Sequence, residues 1–447
     1  MGSVTRTVID ALARSAEFHA PQIETLPREQ LAELQLDRLR ATVRHAADNV
    51  TLHRARLNAA AVRPEDLRSL ADVQRLPFTT KADLRDHYPF GLFALPVETL
   101  ARLHASSGTT GKPTVVGYSA DDLSTWADLM ARTLHCAGAR RGDIVHNAYG
   151  YGLFTGGLGT HYGAERLGAV VVPVSGGSTE RQVSLITDFK ARVLCATPSY
   201  ALAIAEVAEQ QGVDLRKSAL RVGMFGAEPW SQAMREEIEA RLGVRAIDNY
   251  GLSEVMGPGV AVECEHQDGL HGWEDHFLFE VIDPETGVPL PEGEAGELVI
   301  TTLTKQALPM LRYRTRDITR VTTARCACGR THLRMLRVAG RSDDMLIIRG
   351  VNVYPSQIEA VLVGRPGIAP HYQLVVERDG HLDEVTVEVE AVPGVPADGF
   401  AAIAGDVKHH IKSLVGITTT VRVLQPGEVP RSQGKAVRVR DLRPKGD

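Results

Sequence analysis

Cysteine is scarce: five residues in 447, at positions 136, 195, 264, 326 and 328. An odd, sparse set in so long a chain excludes the disulfide framework of a small secreted domain. An excess of one charge is lacking too. Lys and Arg number 50 against 55 Asp and Glu, a net −5, which excludes the basic footprint of a nucleic-acid binder. No run of like charge suggests an interaction tail. Long apolar runs are also missing: none reaches the ~18–20 residues of a membrane span. The opening MGSVTRTVIDALARSAEF has no continuous signal-peptide core. The expectation is a cytoplasmic protein without a nucleic-acid or membrane partner. There are no internal repeats and no low-complexity tracts. A Walker phosphate loop, G-x-x-x-x-G-K-[ST], is absent as well. What is present is a chain 43% hydrophobic, enough for a large core and too long for one ordinary domain.

The first hundred residues read as helical. In LPREQLAELQLDRLRATVRHA, Leu36, Leu39 and Val43 fall on one helical face, Leu31 and Leu34 pair upstream, and Pro27 suits a first turn. From His104 to about Gly257, short β-branched runs alternate with helical ones. Strands are expected at Ala169–Val174, Arg192–Pro198, Leu220–Pro229 and RAIDNYG, with helices in ALAIAEVAEQQG and in SQAMREEIEARLG, which ends at Gly243. That alternation argues for an α/β fold with a parallel sheet covered by helices. Residues 277–322 carry strands broken by turn residues, the mark of an antiparallel β portion. After Gly340 a compact mixed pattern follows: MLIIRGVNVYP, a helix from Ser356, QLVVERDG, EVTVEVEAV, a helix over Phe400–Val415 and TTTVRVL. It reads as a small separate α+β domain. The expected division is 1–340 and 341–447.

HASSGTTGKPTVVGYS, from His104 to Ser119, concentrates hydroxyls, glycines and one lysine. Ser106, Ser107, Thr109 and Thr110 offer donors, Gly108 and Gly111 let backbone N–H groups approach an anion, and Lys112 adds charge. Such a loop can wrap a triphosphate; on composition alone it is equally a solvated surface loop. NAYGYGLFTGGLG sets aromatic side chains among glycines, as the wall of a flat apolar pocket does, or as a packing turn does. FGAEPW and DNYGLSE each end an expected strand, where open α/β sheets bind ligands. There Tyr250 can stack on a base and Glu254 can hold Mg2+, which prefers hard oxygen ligands. Asp317 stands among Arg314, Arg316 and Arg320, either gripping a ribose diol or forming a surface ion pair.

In this order, these segments resemble the adenylate-forming acyl/aryl ligases, and within them the phenylacetate–CoA ligases. The matches are HASSGTTGKPTVVGY, HNAYGYGLFTGGLGTHYGAE, PVSGGSTERQV, TPSY, FGAEPW, YGLSEVMGPGVAVEC, WEDHF, LTKQALPMLRYRTRD and GRSDDMLIIRGVNVYPSQIE, spanning about Leu31 to Arg440. The resemblance implies a large N-terminal domain, a small mobile C-terminal lid, and a reaction in two halves. An aryl carboxylate and ATP give an acyl-adenylate and pyrophosphate; the acyl group then passes to the CoA thiol. It makes Ser106 to Lys112 the loop over the ATP phosphates. It gives the nucleotide Gly226, Ala227, Glu228, Asp248, Asn249, Tyr250 and Gly251, with Asp317 on the ribose and Glu254 on Mg2+. Lys435 becomes the lysine of the adenylation half-reaction, its ammonium meeting charge on the carboxylate and α-phosphate. Arg341 and Asp343 lie in the hinge segment GRSDD, and Arg349 is a candidate CoA or hinge contact. The aryl pocket draws on Tyr149, Phe154, Gly156 and Gly226. The resemblance also leaves room for a homodimer.

A metal site is legible apart from this. CACGRTH gives a C-x-C pair, and VECEHQDGLHGWEDH supplies Cys264, His266, His271 and His276. Cysteine and imidazole at four corners suit tetrahedral Zn2+. Cys264, His271, Cys326 and Cys328 are the favoured set, as a structural staple, against idle thiols beside a surface histidine. Two other functions stay open: adenylation with a carrier-protein thiol or an amine as acceptor, and a catalytically idle nucleotide-binding regulator. Intact Lys435, Glu254 and Asp317 speak against the last.

Overall fold

The computed structural model describes residues 18–106, 113–342, 346–348, 351–379, 382–431 and 437–443. The first long helix is Arg28–Asn49, after a single turn at Pro21–Glu24, and Pro27 is its N-cap. Its buried face is Leu31, Gln35, Leu39, Thr42, Val43 and Ala46, neighbours at i, i+3 and i+4. Leu36 and Leu34 flank that face, only partly buried. The polar Gln35 is tolerated in the face because its amide donates to the Phe277 carbonyl at 3.4 Å.

Nine strands form the largest sheet. Val170–Val172, Ile144–Asn147, Val193–Ala196, Val222–Gly226 and Arg245–Leu252 lie side by side and parallel. Gly257–Glu263 and Leu270–Gly272 continue the sheet antiparallel, and Arg334–Met335 and Val321–Thr322 complete it. The runs read as strands are thus present, three of them shorter, as where the VVV core and not all of Ala169–Val174 makes the ladder, while RAIDNYG extends to Leu252. The helices Pro198–Gln210 and Gln232–Leu242 follow their strands as expected, the second closed by Gly243 at φ 67°, a left-handed cap that glycine adopts without strain.

Phe277–Ile282, Gly296–Thr302, Tyr313–Thr319 and Gly340–Arg341 form a separate antiparallel sheet. A hairpin of Arg102–Ser106 with Thr114–Tyr118 pairs Ser106 opposite Thr114. The segment after Gly340 has its own hydrophobic core, from Leu346 to Ile417. That core packs the helices Pro355–Leu362 and Phe400–Leu414 on the four-stranded sheet of Ile368–Asp379, Leu382–Ala391, Thr420–Leu424 and Val439–Asp441.

Candidate active site

In the parallel half of the large sheet, the chain runs from Ile144–Asn147 out to Val170–Val172, then back across to Val193–Ala196. Such a reversal opens a crevice at the strand carboxyl ends. The segments at those ends are Ala148–Phe154, Thr197–Ser199 and Ala227–Trp230, which include the residues expected to bind substrate and nucleotide.

Backbone crowding explains the glycines there. A Cβ on Gly226 would lie 2.1 Å from the Asn249 carbonyl oxygen, and one on Gly251 would lie 2.0 Å from that of Gly257. Only glycine lets these backbones pass. Ala227 follows at φ 72°, a left-handed conformation that costs a residue with a Cβ and concentrates at ligand sites. Glu228 turns away from the sheet, and its Oε1 accepts the Ser199 N–H at 2.7 Å. It therefore fixes the turn by capping a helix N-terminus, where a carboxylate is favoured.

Tyr250 and Asp317 come from different sheets and meet. The phenol donates to Oδ2 of Asp317 at 2.6 Å, and Arg341 stands 3.8 Å from Oδ1. The arginines expected around Asp317 are occupied elsewhere: Arg314 and Arg316 pair with the fully buried Glu297 at 2.6 and 3.4 Å. A bulge in the pairing of Gly296–Thr302 with Tyr313–Thr319 separates the two sets, as bulges do when they re-aim a side chain. Asp248 faces inward. Its carboxyl is 3.8 Å from Arg337, and burial, then the charge of Glu263, pushes it up to about 6. Asn249 accepts the Gly259 N–H at 3.3 Å.

Glu254 is buried in the turn after Tyr250. Thr155 and Ser253 hydroxyls 3.0 Å apart tie that turn to the helix Thr155–Leu167. Beside it is a residue that sequence reasoning missed. Lys305 is 2% exposed, and its Nζ lies 4.4 Å from the centre of the Tyr118 ring with no hydrogen-bond partner among the described residues. Burial lowers its ammonium to about 8, while the charges of Asp122 and Glu254 oppose that fall. LTKQALP carries no pattern that would separate this lysine from a solvated one.

Tyr149, Phe154 and Gly156 surround the start of the helix Thr155–Leu167. Tyr149 is buried, its hydroxyl 3.5 Å from the Met224 carbonyl. A Cβ on Gly156 would strike the Phe154 ring at 2.6 Å. Ser106 ends its strand. Ser107, Gly108, Thr109, Thr110, Lys112, Asp343, Arg349 and Lys435 lie outside the described residues.

Cys264, His271, Cys326 and Cys328 converge, with their ligand atoms all within 4.8 Å of one another. Sγ of Cys264 is 3.7 Å from Sγ of Cys326, and Sγ of Cys328 is 3.3 Å from Nε2 of His271. Two thiolates each ~2.3 Å from one tetrahedral zinc stand ~3.7 Å apart, so the donor set fits that ion. His266 is not in the cluster. His276 is turned to Thr304 and Asp275 at 2.7 and 3.2 Å.

The comparisons with known proteins agree with this geometry. The AMP-binding enzyme family matches residues 30–304, and the AMP-binding enzyme C-terminal domain matches 350–443. A phenylacetate-coenzyme A ligase of Aromatoleum evansii is 54% identical, over 95% of this chain and 97% of its own length. That of Escherichia coli strain K12 is 55% identical, over 94% and 97%. The chain belongs to the phenylacetate–CoA ligase family of AMP-binding enzymes. Among solved structures, a 2-hydroxyisobutyryl-CoA ligase in its postadenylation state superposes with a TM-score of 0.89 at 30% identity, covering 94% of this chain and 91% of that one. The same ligase in its thioesterification state gives 0.70 at 32%, covering 95% and 92%. The whole chain thus superposes better on the postadenylation structure of that ligase than on its thioesterification structure.

Proposed function

We infer that this chain is an AMP-forming acid–thiol ligase that activates phenylacetate with ATP and passes the acyl group to CoA. Identity of 54–55% to two phenylacetate-coenzyme A ligases along nearly the whole chain carries the reading. The carboxylate oxygen attacks the α-phosphorus of ATP, and pyrophosphate leaves. The CoA thiol then attacks the acyl carbonyl, and AMP leaves.

The residue roles are part of the proposal. Asp317, held by Tyr250 and Arg341, takes the ribose hydroxyls. The backbone of Gly226, Ala227 and Glu228 faces the adenine, while Asp248 and Asn249 set the strand behind it. Tyr149, Phe154 and Gly156 line the aryl pocket, whose aromatic wall suits a ring. Glu254 would hold Mg2+, which neutralises phosphate charge. Ser106 to Lys112 would cover the phosphates, and Lys435 would serve the adenylation step. Cys264, His271, Cys326 and Cys328 would hold a structural zinc. The lid would begin after Gly340, where the own core of the C-terminal segment supports a boundary. No helix among the described residues is long and apolar enough to cross a membrane, and the cytoplasm, where ATP and CoA are made and used, is the compartment this reading favours.

The test is pyrophosphate release against a panel of aryl acids, with and without CoA. Turnover that needs CoA and is fastest on phenylacetate is the expected result. Adenylate that forms and is not consumed by CoA would move the acceptor to a carrier-protein thiol or an amine.

A further inference from the structure

The C-terminal unit is fastened to the large domain by charged groups that the reaction chemistry does not use. Glu206 lies on the helix Pro198–Gln210 of the large domain. Its Oε1 is 3.1 Å from Arg431 and its Oε2 is 3.1 Å from Nε2 of His371, both residues of the C-terminal unit. Arg431 is held in turn by Glu390, buried beneath it, at 2.6 and 2.8 Å. The guanidinium is thus fixed on its own domain and offers its remaining edge to Glu206. Hydrogen bonds from His371 and Arg431 draw the Glu206 carboxyl down to about 2.

A second tie lies close by. The buried Glu359 of the C-terminal unit accepts the Ser231 N–H of the large domain at 2.8 Å. Its other oxygen accepts the Tyr372 hydroxyl at 2.9 Å and faces Arg438 at 3.5 Å. Val363 also belongs to a hydrophobic cluster otherwise made by the large domain, which includes Tyr200, Trp230 and Met234. Arg431 precedes the segment that contains Lys435, the lysine assigned to the first half-reaction, and Arg438 follows it and braces Glu359.

The superpositions say which arrangement these contacts accompany. With one relative, near-equal identity and near-equal coverage, the TM-score is 0.89 to the postadenylation state and 0.70 to the thioesterification state. Contacts between two bodies favour whichever arrangement contains them, by their differential free energy.

We propose that Glu206 is a positioning residue of the first half-reaction: with Arg431 and His371 it forms a clasp that holds the C-terminal unit in the adenylate-forming arrangement and opens before CoA is acylated. The proposal rests on the two-step ligase reading above. The clasp suits a reversible contact. It is partly exposed, with Glu206 27% and Arg431 29% exposed at the side chain, so water replaces each partner when it opens. A fully buried pair would lose far more on separation. Glu390 keeps Arg431 ordered on the lid while the clasp is open.

The test separates the half-reactions in Glu206→Gln. Acid-dependent ATP–pyrophosphate exchange without CoA reads the first; consumption by CoA of a supplied synthetic acyl-adenylate reads the second. The acid is whichever the wild type uses fastest. Exchange is expected to fall about tenfold, equivalent to about 1.4 kcal/mol, with the second half-reaction unchanged or faster. Equal loss in both, or loss in neither, overturns the clasp. Amide hydrogen exchange on the same variant gives a readout independent of substrate. Faster exchange confined to residues 368–372 and 429–431 is expected, and an unchanged pattern there overturns the proposal. If the wild type activates no aryl acid, the ligase reading fails, and the hydrogen-exchange comparison alone decides the clasp.

Discussion

The Tyr250 hydroxyl donates to Asp317 across 2.6 Å, joining the nine-stranded sheet to the antiparallel sheet that holds Tyr313–Thr319. The bond leaves Oδ1 of Asp317 toward Arg341, so the carboxylate is held in one orientation, as its proposed ribose role requires. Removing the phenol leaves the acid in place but unaimed. Tyr250→Phe is expected to raise the KM for ATP about tenfold, since a hydrogen bond to a charged group is worth ~1.5–3 kcal/mol, while the KM for the aryl acid stays put. Steady-state kinetics on both substrates decide it; an unmoved ATP KM would remove Asp317 from the nucleotide site.

Lys435→Ala tests the assignment of the two half-reactions. Adenylate formation is expected to collapse, by ~100-fold or more for the loss of a preorganised charge, while CoA still consumes a supplied acyl-adenylate. Single-turnover measurements with each substrate separate the two. Equal loss in both would mean that this lysine serves the whole site.

The cysteine–histidine cluster predicts about one zinc per chain after washing with a weak chelator. Cys326→Ser and Cys328→Ser should each lose the metal and lower Tm. The rate per folded molecule should hold, because none of the four is among the residues proposed to bind nucleotide or aryl acid. Elemental analysis showing no zinc in the wild type would remove the site.

Lys305 predicts a pH signature of stability. Its folded value near 8 lies below its ordinary 10.5. Between those values the unfolded chain holds a proton that the folded chain has released, so stability from this group rises with pH across that window. Below pH 8 the cost of burying the ammonium is present in full. Lys305→Met should therefore flatten the rise by up to ~1.4 kcal/mol per pH unit. Urea midpoints for both proteins from pH 7 to 10 measure it, and parallel curves would refute the assignment.

Sequence pattern reached the parallel strands, the antiparallel segment and the α+β segment at the end, because each imposes its own period on a run of residues. Gly243 and the helix before it were legible for the same reason. Contacts between distant segments were not. Asp317 looked to be ringed by Arg314 and Arg316, yet both belong to Glu297, a residue whose burial no local pattern discloses. Lys305 and the Glu206–Arg431 contact were invisible because their meaning depends on what folds against them. The cysteine cluster was the exception. Few side chains bind soft metals, so even a nonlocal set of four stood out.

The route of the chain gives that cluster a further consequence. After Leu270–Gly272 the backbone leaves the large sheet, builds three strands of the small one, and returns at Val321–Thr322 and Arg334–Met335. The small sheet is therefore a long excursion with a narrow neck. Cys264 and His271 sit where it departs, Cys326 and Cys328 where it comes home. Whatever draws those four side chains together closes the neck like a drawstring. The small sheet is then tied to the large one at two separate places, this neck and the Tyr250–Asp317 bond.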